Sequence, residues 1–164
     1  MAVDELGPAE RFAAGAIGRP GSRRFYLEVT TGGAVHTFPC EKNQVAALAV
    51  QGLQLLTIAG IEPDDDAVDR LLGDGLEISE PEAPRFRIGS IGLAVNPSEF
   101  LLITLGSEDE GESASFVVSP EQFRAMAIAA ARVVAAGRPI CPRCQLPEDP
   151  DGHFCPSVNG HQLP

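Results

Sequence analysis

Tryptophan is absent from this 164-residue chain and tyrosine occurs once. Any core must therefore rest on Ala, Val, Leu, Ile and the eight phenylalanines. Lysine is scarce too: Lys42 stands alone beside eleven arginines, a bias that suits GC-rich coding more than a function. Positive charge is outweighed throughout, and the formal net charge is −11. With no basic stripe to neutralise phosphates, neither nucleic acid nor an anionic membrane surface is expected as a partner. Long apolar runs are missing as well. Gly, Gln, Arg or Thr interrupts each one before the roughly 20 residues that a bilayer requires. Met1 to Pro8 holds acids and no apolar run, so a signal peptide is not expected and a cytoplasmic location is. In that reducing compartment the four cysteines point to a metal or free thiols rather than to disulfides. A hydrophobic fraction of 44% is nevertheless enough for a packed core, and the length suits one compact domain with a small appendage.

What is present reads first as strands. Arg11 to Gly18 and Arg23 to Thr30 are expected strands, joined by the turn Arg19-Pro20-Gly21-Ser22. In the second, Phe25, Leu27 and Val29 alternate with Arg24, Tyr26 and Glu28, the period of a half-buried strand. A third strand, Ala34 to Pro39, leads to a helix from about Lys42 to Ala59, with Val45, Leu48, Ala49, Gly52, Leu55, Leu56 and Ala59 on one stripe. Residues 61–84 carry nine acids against one Arg and read as a solvated linker with a short amphipathic piece, Ala67 to Leu72. Strands then recur, one ending near Val95 and others at Phe100 to Leu105 and Ala114 to Val118. A second helix opens with Ser119-Pro120-Glu121-Gln122, which has the composition of a capping box.

The second half echoes the first. Arg85-Phe86-Arg87-Ile88-Gly89-Ser90-Ile91-Gly92 matches Arg11-Phe12-Ala13-Ala14-Gly15-Ala16-Ile17-Gly18 at Arg, Phe, Gly, Ile and Gly, and Gln44-Val45 corresponds to Gln122-Phe123. The expected fold is α+β: two repeated halves, each a three-stranded antiparallel meander followed by a helix, with a zinc knuckle at the C-terminus. The halves span about 9–60 and 85–137 of a duplicated domain 1–137, with the acidic linker between them and a zinc-binding tail over 138–164.

That tail carries the sharpest motif. Cys141-Pro142-Arg143-Cys144 is followed, eight residues on, by His153-Phe154-Cys155. A Cys-x-x-Cys turn lets two thiolates approach one ion, and residues 153 and 155 of an extended segment point to the same side. Cys141, Cys144, His153 and Cys155 make a Cys3His set that suits tetrahedral zinc, with His161 as the alternative fourth ligand. A closed set of four protein ligands leaves no position for substrate, so the expected role of Zn2+ is structural. Ile140, Leu146, Phe154, Val158 and Leu163 are too few to form a core, so the tail's folding would depend on the metal.

These residues resemble those of the actinobacterial domain-of-unknown-function family 3090, also labelled a repeat protein family. The resemblance runs through Arg11-Phe12, Gly15, Ile17-Gly18, Pro20-Gly21, Arg23 and Phe25-Tyr26-Leu27, and then Glu41-Lys42, Gln44-Val45 and Leu48. It resumes at Ala136-Gly137-Arg138-Pro139, Cys141-Pro142, Cys144, Asp149-Pro150, Gly152-His153 and Cys155-Pro156. Gln145, Ser157 and Val95 stand where the family commonly has Gly, Arg and Trp. The resemblance implies an architecture, the choice of His153 over His161 as ligand, and no established activity. The family's gene associations imply a link to phosphate or thiol metabolism.

Other candidates are weighed against plainer roles. Cys40 is expected to be a buried structural thiol and His36 a strand-face residue. Gly18-Arg19-Pro20-Gly21 and Gly89-Ser90-Ile91-Gly92 open onto no helix, so turn or bulge glycines are expected rather than phosphate loops. Asp64, Asp65 and Asp66 lack the Gly and distal Glu of a calcium loop. Arg23 and Arg138, with Arg143, are candidates for a basic patch able to anchor a phosphate or an acidic partner. No nucleophile–base pair is evident in the sequence, so the function expected first is a non-catalytic zinc-binding adaptor acting through protein partners. The alternative is an enzyme or small-ligand-binding protein with a cleft between the halves, in which Arg23, Glu41 and Arg138 would contact the ligand.

Overall fold

The computed structural model describes residues 2–19 and 21–136. Two sheets and three helices give an α+β architecture. The first sheet is the antiparallel meander β2 (Arg11–Ile17), β3 (Arg24–Thr31) and β4 (Ala34–Cys40). The second contains the meander β5 (Ile88–Val95), β6 (Leu101–Ser107) and β7 (Ser113–Val118). To it β1 (Asp4–Pro8) adds a parallel edge strand beside β7. Helix α1 (Lys42–Ile58) follows the first meander and α3 (Pro120–Ala135) the second, while α2 (Asp65–Asp74) lies between the halves.

The strands follow the patterns that announce them. β6 alternates buried and half-buried residues along Leu101, Leu102, Ile103, Thr104 and Leu105, as one face packs inward. At the second helix the capping box forms: Ser119 Oγ accepts from the Gln122 backbone N–H at 3.0 Å, and Gln122 Oε1 accepts from the Ser119 N–H at 2.8 Å. Gly18 and Gly21 hold φ of +109° and +88° in the β2–β3 connection, which is turn geometry.

Three features depart from the sequence reading. The first strand read from the sequence begins at Arg11, and the structure adds β1 at Asp4–Pro8 before it. A parallel edge strand needs only backbone pairing, and DELGP offers no alternation to reveal it; a register shift between Glu5 and Gly7 breaks the period further. The acidic segment 61–84, expected as mostly solvated linker with a short amphipathic piece at Ala67 to Leu72, contains α2, which takes in that piece and extends it at both ends. Asp64 Oδ2 caps this helix by accepting from the Ala67 N–H, Asp65 and Asp66 occupy its first turn, and Val68 is buried. Tyr26 was expected on the outer face of its strand and is only 6% exposed.

The remainder of the acidic segment explains Tyr26. It crosses the first sheet as a strap: Arg11 Nη2 donates to the Glu77 carbonyl at 2.7 Å, Ile78 fills the space over Gly15, and the Arg85 N–H donates to the Thr37 carbonyl. Both faces of this sheet are therefore covered, and Phe12, Ala13 and Ala14 are buried in succession.

Each helix packs beyond its own half. α3 lies on β2 of the first sheet, and α1 reaches β5 of the second. Gln122 Nε2 donates to the Ala9 carbonyl at 2.8 Å, and Gln44 Nε2 donates to the Ile88 carbonyl at 3.0 Å. Phe12 from β2, Phe116 from β7 and Phe123 from α3 meet with ring centroids 5.4 and 6.3 Å from Phe12. One core serves both sheets.

Candidate functional site

The ends of four elements line a cavity of about 280 Å³. Gly21, Arg23, Arg24 and Phe25 enter it from the β2–β3 turn and the start of β3. Cys40, Glu41 and Lys42 come from the end of β4 and the first turn of α1, and Arg87 comes from the residue before β5. Local pairing explains the convergence. Phe25 and Cys40 are register partners across β3 and β4, so the basic pair before Phe25 and the charged pair after Cys40 emerge at the same end of the sheet. Arg87, from just before β5, is the one lining residue that the second half contributes among the described residues.

Four cations thus line one small cavity in a protein of net charge −11. Two of them have acidic partners. Arg87 Nη1 lies 2.9 Å from Glu41 Oε1 and its Nε 3.7 Å from Glu108 Oε1, while Arg24 Nη2 lies 3.0 Å from Glu80 Oε2. These pairs are exposed and contribute little to stability. Arg23 is held differently: its Nη1 donates to the Val133 carbonyl near the end of α3 at 2.8 Å, and its guanidinium stacks 5.0 Å from the Phe25 ring centroid. Among the described residues neither Arg23 nor Lys42 has an acid within ion-pair distance.

At the floor, Cys40 is only 4% exposed. Burial pushes its thiol up to about 12, with Glu41 adding to the rise, against the opposing pull of Arg87 and of a hydrogen bond with the Leu27 backbone. It is therefore a neutral thiol and a poor nucleophile at physiological pH.

Arg23 and Glu41, both expected as ligand contacts, share this cavity. Arg138, expected with them, lies outside the described residues, as does Arg143. So do Cys141, Cys144, His153, Cys155 and His161, the candidate zinc ligands. Among the described residues no group of three or more His, Cys, Asp or Glu is placed to hold a metal ion. Lys42, Arg24 and Arg87 were missed by sequence reasoning. Lys42 was detectable: a cation in the first turn of a helix opposes the macrodipole, and α2 and α3 place acids there instead.

The other features offer less. A depression of about 620 Å³ lined by Glu62, Asp65 and Arg124 is larger, but Arg124 and Asp65 already face each other at 3.5 Å. His36 Nε2 lies 3.2 Å from Thr31 Oγ1 near the β3–β4 turn. Burial and the neighbouring Arg85 lower the pKa of His36, against the opposing pull of Asp4.

A family model described as "Protein of unknown function (DUF3090)" matches residues 5–155 of the chain. Comparison with curated proteins and with solved structures finds no match.

Proposed function

Because the chain belongs to the DUF3090 family, whose description names no activity, its function has to be argued from its own residues, and we propose that it is a binding protein that takes an anionic group in the cationic cleft at the end of its first sheet. The observation that carries this reading is the convergence of Arg23, Arg24, Lys42 and Arg87 on one cavity in an otherwise acidic protein. Sequence alone places the adaptor first; the cleft moves ligand binding ahead of it. Binding is placed ahead of catalysis because the Cys40 thiol on the cavity is held in its protonated form and Glu41 is engaged by Arg87.

Zinc belongs to the same proposal as a structural element. Three thiolates and one imidazole are a donor set that zinc favours, and the family match takes in Cys141, Cys144, His153 and Cys155 while His161 falls beyond it. Such a site would shape the segment 138–164, which follows α3 close to the Arg23–Val133 contact. Internal duplication is supported by the strand-strand-strand-helix order occurring twice and by the Gln44 and Gln122 bonds into the opposite half. No described helix is long and apolar enough to cross a membrane. A cytoplasmic location accords with that and with the sequence-based expectation.

A thermal-shift panel of small anions against the full-length protein at low ionic strength tests the cleft. A ligand at a hundred times its Kd should stabilise the protein by about 2.7 kcal/mol. Arg87→Gln should reduce the shift for the same ligand. If carboxylates, phosphates and sulfate all leave Tm unchanged at millimolar concentrations, the proposal fails.

A further inference from the structure

We infer that the group taken by the cleft is a phosphate dianion, carried by a small monoester or as inorganic phosphate. This inference rests on the anion-binding reading above. Three features narrow the anion.

The first is charge. Arg24 and Arg87 are matched by Glu80, Glu41 and Glu108, so they offer hydrogen bonds more than net charge. Arg23 and Lys42 have no acidic partner among the described residues. Two unmatched cations on one small cavity complement two negative charges, and a phosphate monoester carries −1.5 to −2 near neutral pH. A single carboxylate or a phosphodiester leaves one cation unanswered.

The second is size. At about 280 Å³ the cavity falls just below the usual range for small-molecule sites, roughly 300–1,000 Å³, which excludes a dinucleotide. Among the described residues a nucleobase also lacks a platform, since Phe25 is the sole aromatic residue lining the cavity there and the Arg23 guanidinium lies over its ring.

The third is donor geometry. The cations come from the starts of β3 and α1 and from the residue before β5, so three separate segments bring donors to one small cavity. A tetrahedral group that concentrates its charge on three oxygens suits that arrangement better than an extended dicarboxylate does.

The test is titration calorimetry of the full-length protein with glycerol 3-phosphate, inorganic phosphate, dimethyl phosphate, succinate and acetate at pH 8 and low ionic strength. Saturable binding of glycerol 3-phosphate is expected, about tenfold tighter than dimethyl phosphate, which has a similar shape and one charge fewer. Inorganic phosphate binding as tightly would assign the free ion, and tighter binding of the ester would assign the monoester; both support the dianion. Lys42→Gln and Arg23→Gln should each weaken binding about tenfold. Lys42 is exposed, so its variant retains the fold and keeps the test decisive if Arg23→Gln misfolds. Succinate binding at least as tightly as glycerol 3-phosphate would overturn the phosphate assignment and leave the anion cleft standing. Phosphate binding untouched by Lys42→Gln would overturn the site, and no binding of any anion would overturn both proposals.

Discussion

Cys40 sits where the cationic cleft meets the hydrophobic core, and the core decides its chemistry. Arg87 favours the thiolate, but burial dominates and Glu41 reinforces it, so the thiol rises from its ordinary 9.0 to about 12. Linkage follows from that direction. Between pH 9 and 12 the unfolded chain releases this proton while the folded chain retains it, so the folded state loses stability as pH rises and the loss levels off above about 12. From pH 9 to 10.5 the loss is on the order of 2 kcal/mol. Urea denaturation of the wild type and Cys40→Ala at these two values should show a shallower pH dependence in the variant, since every other titrating group is common to both. Equal slopes would mean that the thiol titrates normally. The sequence revealed this residue's burial through its place at the end of an apolar strand. It gave no sign that Cys40 forms the floor of a cleft, because the opposing wall, Arg87, lies 47 positions away and arrives only through tertiary packing.

At the level of elements, α1 and α3 are packed directly together at Gly52, whose missing side chain leaves room for Phe123. A methyl group there would sit well inside contact distance of the Phe123 ring, which is itself fully buried. Gly→Ala in a helix ordinarily gains about 1 kcal/mol from propensity. Here the overpacking cost, typically about 1–3 kcal/mol and larger where a rigid ring has no room to retreat, outweighs that gain. Gly52→Ala should therefore lower the urea midpoint, and an unchanged or raised midpoint would contradict this packing. Periodicity made α1 and α3 legible, including Val45, Leu48, Leu56, Phe123 and Met126 on their buried faces. α2 was only partly legible: its acids weigh toward a solvated reading, whereas Asp64 as N-cap and two aspartates in the first turn are helix-starting signals. The strap over the first sheet left no pattern, because its anchors are backbone carbonyls taken by Arg11 and a single apolar residue, Ile78.

For the whole molecule, the exchange of helices between halves ties the sheets into one cooperative unit. Phe12, Phe116 and Phe123 come from the first sheet, the second sheet and α3, so loosening either half exposes the same cluster. Amide exchange in β2–β4 and in β5–β7 should consequently report the same opening free energy. The zinc segment makes a different contribution. If Cys141, Cys144, His153 and Cys155 close around one ion, its binding energy organises the residues after 137, while the apolar core organises those before. Metal analysis of the purified protein should then find one zinc per chain. Chelation, or the pair Cys141→Ser and Cys144→Ser, should abolish protection after residue 137 and leave both sheets protected as before. Zinc well below one per chain would remove the site. Loss of protection in the sheets would mean that the metal supports the body itself, so that the core shared by the two halves is insufficient alone.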